Sequence, residues 1–305
     1  MLIIIVVFLT VLYFIYRYAF GTDPKRIAGD DEIPEYKSYE QYGEQIRRNV
    51  AEMKATPSQK VTITTKDGVR LYGRYYHVND GAPIVIMFHG YRGSSFRDGM
   101  GAFKISRDNG YNILMVDQRA HRESSGKTIT FGVKERYDCL EWVRHVISHF
   151  GKETQIILVG LSMGASTVLM ATGLDLPNNV KGVIADCGYS APKDILGKVI
   201  GMMKLPVEPV YLLVRLSAML FGGFDPDSAS ATEALRNCKI PVLLIHGEGD
   251  HLVPCEMSRM NYEACNSEEK EIFTVPDAEH GMSYLLDEKG YRERVEAFLK
   301  RNFER

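Results

Sequence analysis

Short apolar runs that alternate with helical segments along most of the chain constrain its fold more than any other feature. The clearest helical segment carries apolar residues every three or four positions between Val133 and Phe150 and ends at Gly151. Strands separated by helices in this way form a mostly parallel sheet with helices on both faces. The apolar runs predict strands at residues 84–88, 113–116, 156–159, 180–185, 242–245 and 271–275.

An alternating pattern precedes these runs. Val61, Ile63 and Thr65 alternate with polar residues, and the alternation resumes at Val69 after the dipeptide Asp67-Gly68. Because aspartate followed by glycine favours a tight turn, this region is predicted to form a β-hairpin ahead of the parallel strands.

The composition is that of a packed globular protein. The 305 residues are 45% hydrophobic and 25% charged, which argues against a disordered chain, a collagen-like repeat or a polytopic membrane protein. The net charge of −2 lacks the basic excess of a nucleic-acid-binding protein, so no nucleic-acid partner is expected. The five cysteines are scattered and form no CxxC pair, which argues against a disulfide framework and a structural zinc site.

The first twenty residues form a continuous apolar segment. Thr10 is the one polar residue between positions 2 and 16, and Arg17 is the first charge. As a helix through Phe20, the segment is roughly 28 Å long at ~1.5 Å per residue, which nearly spans a hydrocarbon core of about 30 Å if Arg17 reaches the interface. A helix of a soluble core would show a polar face. We therefore expect residues 1–20 to be a membrane anchor.

A cleaved signal peptide, and hence a secreted protein, is the alternative for this segment. Ala19 and Gly21 are small residues at the spacing for cleavage before Thr22, but no Lys or Arg precedes the apolar run as it does in most signal peptides. Arg17, Lys25 and Arg26 all follow the run, which favours a cytoplasmic catalytic domain by the positive-inside rule.

Residues 21–58 are predicted to connect the anchor to the globular domain. Residues 22–34 are polar and irregular and are interpreted as a tether. An amphipathic helix follows and is expected to pack on the next domain, with a membrane-surface helix as the alternative. Ser38 and Gln41 resemble a capping box at its start, and Pro57 follows its end. Its apolar stripe consists of Tyr39, Tyr42, Ile46, Val50 and Met53.

Ligand sites in parallel α/β sheets lie at the carboxyl ends of the strands. The run 156–159 is followed by Gly160-Leu161-Ser162-Met163-Gly164 and then by an apolar helix. A G-x-S-x-G pattern between a strand and a helix is typical of a serine nucleophile, because the two glycines allow a sharp turn that exposes the serine. Ser162 is thus the predicted nucleophile, and a structural turn with an incidental serine is the alternative.

A serine hydroxyl needs a base, and the base needs a group that orients it. His280 follows the last predicted strand at the same edge of the sheet and is the predicted base. Asp250, in a glycine-flanked loop after the run 242–245, is the predicted acid. Asp186, which ends a strand, and Asp277, a turn former close to His280, are the rivals. Glu248 is a further alternative, but it would leave Asp250 without a role. His89 and His246 end strands, where a structural hydrogen bond is expected.

Acyl transfer also requires N–H donors for the oxyanion. The backbone N–H of Met163, immediately after the predicted nucleophile, supplies one donor. The backbone N–H of Tyr91, in the glycine-rich turn after the run 84–88, is the candidate for the second.

These motifs resemble the α/β-hydrolase family, in particular its Bem46-like and α/β-hydrolase domain-containing branch. The resemblance covers about residues 60–303 and is carried by H-G-Y-R-G, G-L-S-M-G, H-G-E-G-D-x-x-V-P and E-H-G, with Ser162, Asp250 and His280 in that chain order. It implies an α/β-hydrolase fold with an eight-stranded, mostly parallel sheet, a Ser-His-Asp triad and no cofactor.

One loop departs from the family pattern. Ala120 and Arg122 stand where the family usually has glycines in D-x-R-G-x-G-x-S-x-G. Arg122 is interpreted either as a contact for an anionic substrate group or as a surface residue paired with Glu123 or Glu135.

An apolar insert at about residues 191–238 of the predicted hydrolase domain (residues 59–305) lies where the family carries a lid. It is rich in Met and Leu, which suit acyl chains or seat the lid on the body. The predicted function is hydrolysis of acyl esters through an acyl-enzyme, of the carboxylesterase or lipase type, with a hydrophobic small molecule as the substrate. A peptidase or amidase of the same fold and a non-catalytic membrane-bound scaffold are the alternatives.

Overall fold

Eight strands form one sheet in the computed structural model, which describes residues 2–34 and 37–303. Strand β2 pairs antiparallel with β1 and β4, and the remaining neighbours pair parallel in the order β1-β2-β4-β3-β5-β6-β7-β8. The predicted eight-stranded, mostly parallel sheet is confirmed. The strands are β1 Gln59–Thr64, β2 Arg70–Tyr76, β3 Ile84–Phe88, β4 Asn112–Asp117, β5 Ile156–Leu161, β6 Val180–Asp186, β7 Val242–Gly247 and β8 Lys270–Val275. The first and last residues of the predicted domains, 1 and 305, lie outside the described residues.

Helices cover both faces of the sheet, as predicted. The helices of the described chain are α1 Leu2–Ala19, α2 Gly43–Ala55, α3 Ser95–Asp108, α4 Glu135–Phe150, α5 Met163–Ala171, α6 Pro192–Met202, α7 Val207–Ser217, α8 Ala231–Leu235, α9 Cys255–Ala264, α10 Ser283–Leu286 and α11 Glu288–Phe303.

The two faces of the sheet belong to two separate cores. Because successive side chains of a strand point to opposite faces, a strand buried on both sides reads as a continuous apolar run. In β3, Ile84, Ile86 and Phe88 belong to the core under α4, α5 and the lid, while Val85 and Met87 belong to the core under α2, α3 and α11. This burial explains why the strand runs were visible in the sequence.

Helix α2 packs on the hydrolase domain, as expected, with Ile46, Val50 and Met53 buried against α3. The predicted capping box is wrong. The helix begins at Gly43, after a 3₁₀ turn over residues 37–42, and its N-cap residue makes no side-chain hydrogen bond. The Ser38 hydroxyl instead donates to Glu279 Oε2 at 2.8 Å, since the long-range carboxylate is the stronger acceptor.

The interpreted tether, residues 22–34, is fastened to the domain along its length. The Thr22 hydroxyl donates to the Ala120 carbonyl at 2.7 Å, and the Ala28 amide donates to the Arg92 carbonyl at 2.8 Å. Asp30 accepts from Ser94 at 2.9 Å and pairs with Arg122. We call residues 22–34 and 37–42 the N-terminal strap.

The pairing expected for Arg122 is therefore wrong. Its guanidinium binds Asp30 and the Ala28 carbonyl of the N-terminal strap. Glu123 pairs instead with Lys60 of β1 and Arg74 of β2. Arg122 and its partner Asp30 are 92 residues apart in the sequence, so local spacing does not reveal this pair.

Helix α1 is long and apolar enough to cross a membrane. One side of α1 packs on the domain and buries Leu12 and Tyr16, and Phe20, directly after the helix, is buried as well. It packs against α7 and against a π-helical turn, Ala218–Gly222, which we call the lid turn.

Candidate active site

The turn from β5 into α5 holds Ser162 in a strained conformation. Its φ of 55° and ψ of −115° lie in a region that non-glycine residues rarely adopt. The flanking glycines have no space for a side chain: a Cβ on Gly160 would lie 2.2 Å from the Gly164 carbonyl oxygen, and one on Gly164 would lie 2.0 Å from the Phe88 carbonyl oxygen. The close packing of β3, β5 and α5 therefore requires both glycines and directs Ser162 above the sheet.

The structure brings Ser162, His280 and Asp250 together. Ser162 Oγ lies 2.9 Å from His280 Nε2, and His280 Nδ1 lies 2.6 Å from Asp250 Oδ2. When Nδ1 carries the proton, the imidazole donates to Asp250 and its Nε2 accepts from the Ser162 hydroxyl. The residues come from the ends of β5, β7 and β8, at one edge of the sheet, where the sequence analysis placed them.

Asp250 is held ionised by its surroundings. Its Oδ1 accepts from the backbone amides of Leu252 and Val253 at 2.9 and 2.8 Å. Although burial alone would raise the pKa of Asp250, hydrogen bonds with His246 and His280 hold it well below its usual range. A carboxylate in this state accepts a hydrogen bond from His280 Nδ1–H and leaves the proton on the imidazole.

His246 borders the site through a contact with Asp250 that the sequence analysis did not predict. It is fully buried, with Nδ1 2.6 Å from Ser258 Oγ and Nε2 2.8 Å from the Val253 carbonyl oxygen. Nε2 also lies 3.3 Å from Asp250 Oδ2. The expected structural hydrogen bonds are present, but the contact with Asp250 arises only when the loop after β7 folds back.

The N-terminal strap supports the His280 loop. The Tyr39 hydroxyl donates to the His280 carbonyl at 2.7 Å, and Ser38 binds the preceding Glu279. Asp277, a rival for the acid, has a φ of 59° in the turn after β8, while Asp250 takes the contact with His280. No signal in the sequence indicated that residues 37–42 reach this loop.

The turn after β3 carries the predicted oxyanion donor Tyr91. Within the described chain, the backbone N–H groups of Tyr91 and Met163 form no hydrogen bond, so both are free to bind a ligand. The next amide, Arg92 N–H, donates to His121 Nε2 at 2.9 Å, and the Gly90 amide donates to an Asp98 carboxylate oxygen at 2.8 Å. His121, which the sequence analysis missed, thus fixes the turn.

A cavity of about 260 Å³ opens beside Ser162 and His280. Tyr39, Met100 and Tyr284 form part of its wall, so the N-terminal strap, α3 and α10 shape it. The residues that line it include none from the insert at 191–238, contrary to the expectation that the lid supplies the acyl-binding surface.

Asp186 faces the same cavity and is the second acid that the sequence analysis considered. It is 2% exposed, and its Oδ1 has no hydrogen-bond partner among the described residues. Burial raises the pKa of Asp186 to about 6. Its contact with Ser162 is through the backbone, since the Ser162 amide donates to the Asp186 carbonyl at 2.8 Å.

One group in the described chain offers three metal-ligand atoms close together. The relevant atoms of Cys187, Asp250 and His280 lie within 4.8 Å of one another. Asp250 and His280 are already hydrogen-bonded to each other, and burial raises the pKa of the Cys187 thiol well above its usual range. A protonated, buried thiol is a poor metal ligand, so the group is better explained as packing around the site.

Comparison with known proteins agrees with the fold described above. A family model described as the α/β-hydrolase fold matches residues 83–203. The Bacillus subtilis protein YqkD is 28% identical over 227 residues, which are 73% of this chain and 74% of YqkD. The Schizosaccharomyces pombe protein Bem46 is 22% identical over 193 residues, which are 63% of this chain and 58% of Bem46. The chain is similar to these proteins in sequence and has the α/β-hydrolase fold.

A solved hydrolase shares this fold closely. The Pyrococcus furiosus esterase Pf2001 superposes with a TM-score of 0.67 at 26% identity, covering 82% of this chain and 93% of Pf2001. The predicted resemblance is confirmed, and the relationships support hydrolase activity. The departure at Ala120 and Arg122 also has a structural meaning: both have positive φ, 61° and 48°, the backbone conformation that the family's glycines adopt most easily.

Proposed function

We propose that the protein is a serine hydrolase that cleaves carboxylic esters through an acyl-enzyme. The observation that carries the proposal is the continuous set of short contacts from Ser162 through His280 to Asp250, at 2.9 and 2.6 Å. Ser162 is the nucleophile, His280 is the general base, and Asp250 orients the imidazole and stabilises its charged form.

Acylation proceeds by attack of Ser162 Oγ on the ester carbonyl carbon while His280 Nε2 takes the hydroxyl proton. The negative charge that develops on the carbonyl oxygen is stabilised by the amides of Tyr91 and Met163. His280 then gives its proton to the leaving alcohol, the C–O bond breaks, and the acyl group stays on Ser162. In the second half, His280 deprotonates a water molecule, whose attack releases the acid and regenerates the serine.

Two further observations support a small ester as the substrate. The cavity of about 260 Å³ is below the usual range of roughly 300–1,000 Å³ for ligand pockets, which favours a small acyl group. The structural neighbour Pf2001 is named an esterase at 26% identity. No cofactor is needed for this chemistry.

We also propose that α1 is retained as a membrane anchor, with the catalytic domain on the cytoplasmic side. Its buried side contacts the domain through Leu12, Tyr16 and Phe20, while the opposite side is apolar and exposed. Arg17 and the basic residues that follow α1 support the cytoplasmic orientation.

An ester and amide panel tests the proposed chemistry. Full-length protein should hydrolyse short p-nitrophenyl esters, and it should hydrolyse the matched p-nitroanilides far more slowly. The variant Ser162→Ala should lose both activities, while Ser148→Ala, a serine of α4 outside the site, should keep them. Faster cleavage of the anilides would favour a peptidase or amidase, and equal turnover by Ser162→Ala and the parent would contradict the mechanism.

A further inference from the structure

The exposed apolar side of the lid turn lies against α1. Phe221 packs edge-on against Tyr13 with ring centroids 5.5 Å apart. Leu220 and Phe221 line a shared hollow with α1 residues between Val6 and Tyr13. Even with these contacts, Met219, Leu220 and Phe221 remain 49%, 54% and 37% exposed. Three adjacent exposed apolar side chains, continuous with the exposed apolar side of α1, form the kind of patch that marks a contact with a membrane or a protein.

The position of the lid turn along α1 identifies that partner. Tyr13 precedes Arg17 by four residues, or ~6 Å of helix, and Val6 precedes it by ~16 Å. If α1 crosses a bilayer with Arg17 at the headgroups, the hollow lies within the acyl region. The lid turn is fixed beside these residues and must therefore enter the membrane with them.

The side chains around this region match the boundary of a bilayer. Arg26 lies over the Tyr18 ring at 4.7 Å, and both residues follow the apolar part of α1. Lys134 Nζ lies 3.9 Å from the position of a Cβ on Gly223, directly after the lid turn. Cations and tyrosine at the edge of an apolar surface are typical of the interface with lipid headgroups.

We propose that the lid turn inserts into the same bilayer as α1 and forms a second, monotopic membrane contact. Its apolar side chains enter the acyl region, while Arg17, Arg26 and Lys134 meet anionic headgroups. The proposal goes beyond the proposed esterase function and depends on the membrane placement of α1.

The insertion has a consequence for the substrate, which depends on the proposed function. Tyr91 lines the active-site cavity, and its hydroxyl donates to the Ala19 carbonyl at the end of α1 at 2.8 Å. With α1 and the lid turn both fixed in the bilayer, the site lies at the headgroup level. The substrates that reach it most easily are amphiphilic esters already in the membrane.

Quenching by lipids brominated on their acyl chains tests the insertion directly. Full-length protein is reconstituted in vesicles of phosphatidylcholine and phosphatidylglycerol, with tryptophan placed by Leu220→Trp. Phe14→Trp reports on α1, and Met260→Trp, an exposed position on α9, is the matched control. The native Trp142 is fully buried and common to all variants. We expect loss of emission for Leu220→Trp and Phe14→Trp but not for Met260→Trp.

The contrary result is Phe14→Trp quenched and Leu220→Trp unquenched. It would overturn the insertion, and a blue-shifted but unquenched Leu220→Trp would assign the surface to a protein partner, such as a second copy.

A charge substitution gives an independent readout. Leu220→Glu should hydrolyse a vesicle-embedded ester more slowly than the parent and a soluble short ester equally fast, with Met260→Glu unchanged on both. Equal rates of Leu220→Glu and parent on the embedded ester would contradict the proposal. A parent inactive on both esters would contradict only the proposed function, since quenching still reports the insertion.

Discussion

Two buried carboxyl groups near His280, Asp250 and Asp186, have opposite protonation behaviour. Hydrogen bonds to two histidines and two backbone amides keep Asp250 ionised. One oxygen of Asp186 has no hydrogen-bond partner in the described part of the chain, and burial raises the pKa of Asp186 to about 6. The difference supports the catalytic role proposed for Asp250 and predicts distinct effects for the two asparagine variants.

Asp250→Asn should lower kcat on a soluble ester by about 10³–10⁴-fold, because an amide neither orients the Nδ1 proton of His280 correctly nor stabilises the imidazolium. Asp186→Asn is the matched control and should keep most of the parent's kcat, since its contact with Ser162 is through the backbone carbonyl. The measurement is steady-state kinetics of purified full-length variants. A larger loss of kcat in Asp186→Asn than in Asp250→Asn would mean that Asp186, and not Asp250, orients His280.

Asp186→Asn should also change how stability depends on pH. A carboxyl group whose pKa is higher in the folded state stabilises the fold while protonated, and this contribution is lost as pH rises from about 4 through about 6. With ~1.36 kcal/mol per pKa unit, the parent should lose about 3 kcal/mol that the variant keeps. Thermal unfolding in detergent at pH 4 and pH 8 should show the variant more stable only at pH 8. Equal stability of variant and parent at both pH values would contradict the assignment.

At the level of elements, the N-terminal strap is part of the catalytic domain. It supplies Tyr39 to the wall of the cavity and to the His280 carbonyl, and Asp30 joins it to Ser94, Arg122 and Lys54. A flexible tether would make none of these contacts.

Asp30→Asn should therefore destabilise the fold by about 1–2 kcal/mol at neutral pH, because it weakens charge-assisted hydrogen bonds at partly buried positions. Asp31→Asn changes the same charge at an exposed neighbouring position and should have little effect. Although burial raises it, hydrogen bonds with Lys54 and Ser94 leave the pKa of Asp30 lowered, so the difference from the parent should vanish as pH falls below that lowered pKa. Thermal unfolding measures both variants, and identical behaviour of the two would mean that the strap is not fastened at Asp30.

The strands and turns that could be predicted from the sequence are those in which burial of the element's own residues determines the order of apolar residues and glycines along the chain. The strands β3 and β5 are apolar on both faces, and Gly160 and Gly164 mark a turn with no space for side chains. The order of Ser162, Asp250 and His280 at strand ends then indicated their proximity. Contacts that depend on how loops fold back could not be predicted in this way. His121 below the Tyr91 turn, His246 beside Asp250 and Asp30 beside Arg122 all depend on partners that no local spacing specifies.

For the whole molecule, α1 is part of the tertiary structure. Arg92 donates to the Tyr18 carbonyl at 2.8 Å, and Phe20 packs edge-on against Phe131 and Phe224. Removal of residues 1–21 by a signal peptidase would uncover the apolar surface beneath them. The sequence left retention and cleavage open because Ala19 and Gly21 have the spacing of a cleavage site, while the lack of a basic residue before the apolar run argues against a signal peptide.

Intact mass and extraction test the retention of α1. Full-length protein expressed in cells should keep the first 21 residues and stay in the membrane fraction after alkaline carbonate treatment, because a spanning helix resists extraction. A soluble product that starts at Thr22 would show that the segment is a signal peptide, and the lid turn would then have no bilayer beside it.

The central claim is an activated serine at position 162. The most direct measurement is the intact mass of full-length protein after reaction with a fluorophosphonate probe, beside Ser162→Ala and the control Ser148→Ala. A phosphonyl group on the parent and on Ser148→Ala, but not on Ser162→Ala, is the result that the geometry predicts. A folded parent that forms no adduct, or an adduct that persists in Ser162→Ala, would contradict the account, and in the first case the non-catalytic scaffold would become the better explanation.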